Sequence, residues 1–503
     1  MTPPRAGGVT SSIRDVLARN TLWYGLITLL GLASGLAMSV VLARGLGPAL
    51  MGDFSFLMWA FRTLDAVAGL GFGLALVRYS ADALARDEGA VARGVIGVLL
   101  RWQIVSVAMV ALGTIVVTEA LAPPSLRWPL IVGALGLVPM AIEGLFMRAT
   151  YGAQRYDLTA QVSAIKTVLV LAISAVLVVM GAGLTAIVLG QVLGTVLSCV
   201  LQVRGALSLY PRQPQAVAPA LRDELGRYVI SLSIVRVLET LVWDRSEIFF
   251  LKLWVPPQDI AFYSLAAGLA SRAMIVPAIF VGPLLPALAS LHGGGDHGEF
   301  GRLYRLALRS VMLVGAPIAA VSAGLAPALV FLLYGEAYTP VATLYRILIV
   351  VGMLGVARDV AWAALRAVGD RRSMLTATAV TAAVDLGLAA LLVRSWGTAG
   401  AVAANTVAQV TVSVWAFVAL RRLAGSRLPL GDLSRIGVAA ALALLVAAAI
   451  GAIAHGVSAL ALGAAAGLAT YLLACILLGA VNARDWTILV ASGRRMASFR
   501  ARA

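Results

Sequence analysis

The chain has 503 residues, of which 61% are hydrophobic and only 12% charged, and its mean hydropathy is +0.95. Soluble domains carry about 25% charged residues, so the composition excludes a soluble globular protein and predicts a polytopic membrane protein. The net charge is +16, but the basic residues recur in short hydrophilic breaks and do not form one basic domain. That distribution excludes nucleic acid as the expected partner.

The first predicted element is a cytoplasmic N-terminus, residues 1–19, which carries three arginines. An apolar run follows it at 20–43. The apolar core of a cleavable signal peptide has about 7–15 residues. The longer run therefore predicts an uncleaved first membrane span.

Further apolar stretches follow along the chain, each close to the roughly 17–25 residues that a transmembrane helix needs. With the first span they make about fourteen: 20–43, 53–77, 94–117, 128–148, 160–180, 184–203, 228–251, 262–286, 306–332, 340–365, 374–393, 398–420, 435–454 and 457–480. The longest hydrophilic breaks, 204–227 and 287–305, are far shorter than the roughly 50 residues of a small domain. No loop can hold a catalytic domain, so we expect no enzymatic activity.

Positive charge predicts the orientation, because cytoplasmic loops of membrane proteins are enriched in lysine and arginine. With the N-terminus in the cytoplasm, about 28 of the 39 basic residues fall on cytoplasmic segments and about four in outer loops. We therefore expect both termini in the cytoplasm and an even number of spans.

Three weak sequence matches, in the same order along the chain, predict an internal repeat. The matching pairs, at offsets of about 209 to 218, are 46–62 with 255–272 (Pro48 on Pro257), 147–155 with 365–372 (Gly152 on Gly369), and Gln191 with Gln409. Each half then holds six spans. Because six is even, both halves have the same orientation and form a parallel repeat around the membrane normal.

The repeat and the charge pattern together predict an all-α membrane protein with two six-helix lobes and two extra C-terminal spans. The boundaries are a cytoplasmic N-terminus (1–19), an N-lobe (20–203), a cytoplasmic linker (204–227), a C-lobe (228–420), a cytoplasmic loop (421–434), spans 13 and 14 (435–480) and a basic cytoplasmic tail (481–503). Within the linker, 215–227 fits either a short interfacial helix or a charged connection. Two such lobes enclose a cavity that opens to either side, which is typical of a carrier.

Five charged residues lie in the predicted seventh span, although each costs about 2.5–3.5 kcal/mol at the centre of a bilayer. On a helical wheel with 100° per residue, Arg245 points away from the other four, which share one face: Arg236, Glu239, Asp244 and Glu247. A polar face on a spanning helix must look towards the bundle interior or a wet cavity. We therefore interpret these four residues as lining a cavity.

Other spans carry charges of the same kind, namely Arg62 and Asp65 in span 2, Lys166 in span 5, Arg272 in span 8, and Arg358 in span 10. Arginine suits phosphate, because its planar guanidinium donates two hydrogen bonds and stays charged. The carboxylates suit a coupling proton, a sodium ion or an organic cation. The alternative is that these charges pair with each other and hold helices together, as Arg62 with Asp65 or Arg236 with Glu239.

Several other patterns predict no chemistry. The loop HGGGDHGE (292–299) contains histidine and carboxylate residues, but it lacks a metal-ligand spacing and is interpreted as a flexible connector. Cys199 and Cys475 lie in apolar runs, which favours packing over a disulfide or a metal. No phosphate-binding loop for ATP occurs. We therefore predict no metal and no cofactor.

Five segments together carry a family resemblance: RNTLWYGLITLL, ARGLGPALMGDFS, DRSEIFFLKLWVPPQDIAFYSLA, LYGEAYTPV and LRAVGDRR. Over about residues 18–425 the chain resembles the polysaccharide-exporter (Wzx-type oligosaccharide flippase) family. That family belongs to the multidrug/oligosaccharidyl-lipid/polysaccharide exporter (MOP) superfamily.

The resemblance implies alternating access in a bacterial or archaeal cytoplasmic membrane. It implies movement of an undecaprenyl-pyrophosphate-linked oligosaccharide from the inner to the outer leaflet, for surface polysaccharide biosynthesis. The cationic cavity of the family maps onto Arg62, Lys166, Arg272 and Arg358. The acidic face of span 7 departs from the family pattern and leaves room for H⁺ or Na⁺ coupling. The lipid-linked substrate, membrane lipids and a polysaccharide polymerase are the expected partners.

Three other functions remain open. A cation-coupled multidrug antiporter of the same superfamily would use Glu239, Asp244 and Asp65 as its cation site. A peptidoglycan-precursor flippase would share the architecture. An accessory membrane subunit would have its charges paired off and not lining a cavity.

Overall fold

The computed structural model describes residues 7–243, 245–425, 428–453 and 456–480. Over these ranges the regular secondary structure is helical, with α-helices, two short 3-10 helices and no strand. The predicted all-α fold class is thereby confirmed.

The chain divides into two compact units, of which the first comprises residues 1–261. Its described helices are α1 (Gly7–Gly69), α2 (Phe72–Ala85), α3 (Gly89–Leu121), α4 (Pro124–Gly152), α5 (Tyr156–Val179), α6 (Leu184–Leu207), α7 (Pro219–Trp243), α8 (Glu247–Trp254) and the first turn of α9 (Pro257–Ala273). Helix α1 holds the first predicted span and most of the second, which are separated where Gly47 (φ 74°, ψ 170°) leaves the helical region just before Pro48.

The second unit comprises residues 262–503 and contains the rest of α9. Its further described α-helices are α10 (Ile275–Ala278), α11 (Leu284–Gly293), α12 (His297–Gly324), α13 (Ala326–Tyr334), α14 (Pro340–Val368), α15 (Arg371–Ala424), α16 (Leu430–Ile453) and α17 (Gly456–Leu477). Helix α15 also holds two predicted spans, which meet at Gly397 (φ 55°, ψ −130°).

The fourteen predicted spans fall on the described helices, but four of them are not single helices. Spans 2, 7 and 9 are each divided between two helices, and span 8 runs over α9, α10 and α11. Within the described ranges 11 helical stretches are long and apolar enough to cross a membrane. Two of them, Gly25–Gly69 with 45 residues and Arg372–Leu423 with 52, are each long enough for two passes. The seventh predicted span lies outside this set, on α7 and α8. The chain is thus a multi-pass membrane protein. The predicted lobe and linker boundaries stay a prediction.

Equivalent turns occur in the two halves of the chain. Pro48 and Pro257, which the sequence match pairs, both lie in the first turn of a helical segment. The corner from α4 to α5 turns through left-handed Gln154 (φ 55°), and the corner from α14 to α15 turns through left-handed Gly369 (φ 83°). In the first corner the N–H of Arg155 donates to the carbonyl of Thr150 at 2.9 Å, and in the second the N–H of Asp370 donates to the carbonyl of Leu365 at 3.4 Å. The two corners thus share a left-handed turn, at Gln154 and at Gly369, and the pairing of Gly152 with Gly369 stays a prediction.

The end of the predicted linker is part of a long helix. Helix α7 begins at Pro219 and continues into the seventh span. Leu225 and Tyr210 are buried in one hydrophobic cluster with residues of α2, α3 and α4. For 215–227 the sequence offered a short interfacial helix or a charged connection. The structure shows instead the start of a long helix at Pro219, which packs on other helices of the first unit.

Polar contacts also fasten α7 to α2. The Tyr79 hydroxyl donates a hydrogen bond to Oε1 of Glu224 at 2.7 Å. Burial, and then this bond to a carboxylate, raises the pKa of Tyr79 to about 12. Nearby, the backbone N–H of Gly71 donates to Oγ of Ser233 at 3.1 Å. A Cβ on Gly71 would lie 2.8 Å from the carbonyl oxygen of Val229, so glycine is what allows the two helices to approach this closely.

Candidate functional site

Arg62 lies on the second half of α1, where its side chain is exposed. It makes no hydrogen bond or ion pair with any described residue, so the pair with Asp65 that the sequence suggested does not form. Its guanidinium keeps its N–H donors available for a ligand that carries phosphate or carboxylate oxygens.

Lys166 has a fixed partner. Its Nζ lies 2.7 Å from Oε2 of Glu143, and the two side chains are 31% and 17% exposed. Glu143 comes from α4 and Lys166 from α5, so the pair joins two helices of the first unit. This is the helix-holding arrangement that the sequence left open. Within the described residues, no hydrogen bond or ion pair joins Lys166 to Arg62.

The seventh span is divided into two helices. Helix α7 ends at Trp243 and α8 begins at Glu247. Arg245 between them has a left-handed backbone, with φ of 60°. The helical wheel that placed Glu247 on the face of Arg236 assumed one continuous helix, and it is wrong across this break.

The structure describes only some of the residues of the predicted acidic face. Glu247 is fully buried at the first position of α8. The backbones of Arg236 and Glu239 lie on α7, but their side chains, and Asp244 as a whole, lie outside the described residues. The coupling role of these residues stays a prediction.

Arg358 lies in a polar cluster of the second unit. Its Nη2 is 2.8 Å from Oδ1 of Asp359, and its Nη1 donates a short hydrogen bond to Oε1 of Gln409. The arginine is only 8% exposed. The structure thus brings together polar residues of predicted spans 10 and 12, which the sequence had singled out separately.

Arg272 lies in the last turn of α9 and is half-buried. Its side chain folds back along the helix, since Nη1 lies 2.9 Å from the position of a Cβ on Gly268. The absence of a side chain at Gly268 makes room for the guanidinium.

Sequence reasoning did not predict the partners of several charged residues that the structure pairs. Among these residues are Glu143, described above, and the pair of Asp53 with Lys252, whose Oδ1 and Nζ are 2.7 Å apart. Glu143 is the only acidic residue of α4, so its isolation in an apolar helix was a usable signal. Asp53 and Lys252 are 199 residues apart in the chain, and nothing local marks them as partners.

The HGGGDHGE loop supplies the N-terminal cap of α12. Asp296 precedes α12, and its side chain accepts a hydrogen bond from the backbone N–H of Glu299 at 3.0 Å. Such a bond satisfies a donor that the first turn of the helix leaves free. No cluster suited to a metal ion occurs among the residues that the structure describes.

With this geometry in place, comparison with known proteins identifies the family. Residues 17–292 match the family model described as "Polysaccharide biosynthesis protein". The chain belongs to this family. Residues 262–474 also match the model of the lipid II flippase MurJ. No curated protein matches the sequence.

Solved structures give the same picture of the fold. A structure of the lipid II flippase MurJ in an inward closed conformation matches with a TM-score of 0.71 and 12% identity, covering 92% of this chain and 98% of MurJ. An inward-facing multidrug resistance MATE transporter matches with a TM-score of 0.64 and 16% identity, covering 78% and 95%. A Vibrio cholerae MATE transporter in a bent form matches with a TM-score of 0.55 and 16% identity, covering 83% and 98%. The polysaccharide biosynthesis family member described here thus shares its fold with a lipid II flippase and with MATE transporters, and these matched structures are transporters and not enzymes.

Proposed function

We propose that this protein flips an undecaprenyl-pyrophosphate-linked oligosaccharide from the inner to the outer leaflet by alternating access, for surface polysaccharide biosynthesis. The observation that carries the proposal is the match of residues 17–292 to the polysaccharide biosynthesis family. The setting of Arg62 supports it, because an exposed guanidinium that has no partner among the described residues suits a pyrophosphate.

We assign Arg62 and Arg272 as the first candidates for the pyrophosphate, with Lys166 and Arg358 in supporting roles. Lys166 and Arg358 each have a carboxylate partner within 3 Å, at 2.7 and 2.8 Å. A substrate that recruited either of them would have to compete with that carboxylate. Arg62 has no such competitor among the described residues.

Coupling to H⁺ or Na⁺ is assigned to the acidic residues of the first unit. Glu247 is fully buried. Ionisable residues inside membrane spans cost free energy and commonly serve transport. Asp65, Arg236, Glu239 and Asp244 complete the proposed coupling group.

We place the protein in a bacterial or archaeal cytoplasmic membrane, with both termini in the cytoplasm. The bias of basic residues towards one set of loops supports this orientation. A polysaccharide polymerase is the proposed protein partner.

A peptidoglycan-precursor flippase is the second candidate. The match of residues 262–474 to the MurJ model, and the likeness of the fold to MurJ, favour it. A multidrug antiporter is the third, because MATE transporters share the fold.

Deleting the gene separates these functions. We expect undecaprenyl-linked glycan to accumulate on the cytoplasmic side while surface polysaccharide falls. Lysis, with a build-up of peptidoglycan precursor, would point to the second candidate. Unchanged surface glycan together with new sensitivity to cationic dyes would contradict the proposal in favour of the antiporter.

A further inference from the structure

Helix α8 is a short segment with a break in the helical backbone at each end. Upstream, Arg245 has φ of 60°, a region that residues with a side chain rarely occupy. Downstream, Val255 is extended (φ −125°, ψ 158°) and two prolines follow it. Proline removes a backbone donor and keeps the residue before it out of the helical region. The eight residues of α8 are therefore joined to the rest of the chain through non-helical backbone on both sides.

An ion pair holds this short helix to the second half of α1. Nζ of Lys252 lies 2.7 Å from Oδ1 of Asp53, and 5.3 Å from the centre of the Phe56 ring. The lysine and aspartate side chains are 22% and 16% exposed. Both side chains are thus partly exposed, and the predicted orientation puts them at the ends of their spans, where water can solvate the charges when they separate. Such a pair breaks and re-forms more readily than a fully buried one, whose charges would be left unsolvated.

Two further contacts extend the interface between α8 and α1. The rings of Trp59 and Phe249 are 6.5 Å apart, between centres. Directly after α8, the carbonyl oxygen of Pro257 lies 1.6 Å from the position that a Cβ on Gly52 would occupy. Only glycine permits that approach. The ion pair, the aromatic pair and the backbone contact together form one patch.

From this arrangement we propose that α8 is a gate helix, latched to the second half of α1 by the Asp53–Lys252 ion pair, and that it swings away from α1 once in each transport cycle. The predicted orientation places Asp53 and Lys252 at the outer ends of their spans, so the latch faces the leaflet that receives the substrate. The proposal rests on the proposed function only for the identity of the molecule that passes. In this proposal Asp53 and Lys252 position α8 against α1 and do not contact the substrate.

Distance measurement on the full chain in lipid nanodiscs tests the latch without any substrate. Spin labels go on Leu50→Cys and Leu253→Cys, which are 43% and 56% exposed, in a background where Cys199 and Cys475 are replaced by alanine. We expect one short distance in the parent. Asp53→Asn and Lys252→Gln should each raise the fraction at longer distance by about tenfold, a typical effect of losing a hydrogen bond to a charged group.

Two further variants make the result specific. The exchanged pair, Asp53→Lys with Lys252→Asp, should restore the short distance. Gly52→Ala should lengthen it without touching any charge, because its Cβ would collide with Pro257. Glu119→Gln is the matched control, since it removes the 3.7 Å ion pair to Arg127 away from α8 and should leave the distance unchanged.

Unchanged distances in both Asp53→Asn and Lys252→Gln would overturn the latch, as would failure of the exchanged pair to restore the parent distance. Neither outcome depends on which molecule the protein carries. If only the proposed function were wrong, the Asp53 and Lys252 variants would still change the distance, but they would not alter the transport of lipid-linked glycan in cells.

Discussion

At the scale of single residues, Arg62 and Lys166 are the two first-unit cations that the sequence singled out for the substrate, and they lie in different electrostatic settings. Arg62 is exposed and has no partner among the described residues, whereas Lys166 is bound to Glu143 at 2.7 Å. Their presence could be predicted, because an isolated charge stands out in an apolar run. Their settings could not, because pairing depends on which helices become neighbours.

Replacing Arg62 by alanine should lower transport of the lipid-linked glycan by about tenfold or more at an unchanged protein level, since it removes charge-assisted hydrogen bonds to the pyrophosphate. The transport rate of Arg62→Lys should lie between those of the parent and Arg62→Ala, because lysine supplies a point charge without the planar guanidinium. Arg127→Ala is the matched control, an arginine already paired with Glu119. Transport in a cell-based surface-glycan assay is the measurement. Full activity of Arg62→Ala would remove this residue from the substrate site.

Lys166→Ala should act on stability, because it leaves the half-buried Glu143 carboxylate without its partner. We expect a loss of about 1–2 kcal/mol in the free energy of unfolding, the low end for a hydrogen bond to a charged group in a partly exposed pair. The double variant with Glu143→Ala should lose less than the sum of the two single changes. Thermal unfolding in detergent measures this. A Lys166→Ala protein that is as stable as the parent would contradict this structural role and leave Lys166 only its proposed supporting role at the substrate.

At the scale of helices, hydrophobic runs located the spans, but they did not reveal the break at Arg245. The wheel over 236–247 required one continuous helix, and glycine or proline would have signalled an interruption. Neither residue type occurs there, and the left-handed backbone falls on an arginine. The helix boundary in the predicted linker could not be predicted from the sequence either. Its charged residues suggested an exposed connection, yet α7 starts within it and packs on the first unit.

The close approach of α2 and α7 depends on Gly71. A Cβ there would lie 2.6 Å from Cβ of Leu232 and 2.8 Å from a backbone oxygen. Gly71→Ala should therefore destabilise the protein by about 1–3 kcal/mol, as overpacking does elsewhere. Gly69→Ala is the control, because nothing lies within 4 Å of its added Cβ. Melting temperatures of the purified proteins compare the two. Equal melting temperatures would show that α7 does not need this approach.

At the scale of the whole molecule, three sequence matches predicted a parallel repeat, and at two of them the backbone has the same local feature in both halves. Helix-starting prolines recur at Pro48 and Pro257, and left-handed corners recur at Gln154 and Gly369. At the second match the sequence aligned glycines, whereas the left-handed turn falls on a glutamine in the first half and on a glycine in the second. The substrate is not encoded in such features, since one MOP fold serves lipid flippases and drug antiporters alike.

Reconstituted flipping tests the central claim most directly. Purified protein in proteoliposomes receives an undecaprenyl-pyrophosphate-linked oligosaccharide in the inner leaflet, and a membrane-impermeant glycosidase reports its arrival outside. We predict that the glycan becomes accessible with the parent protein and about tenfold more slowly with Arg62→Ala. No gain of accessibility over empty liposomes, in a preparation that accumulates an organic cation, would contradict the account.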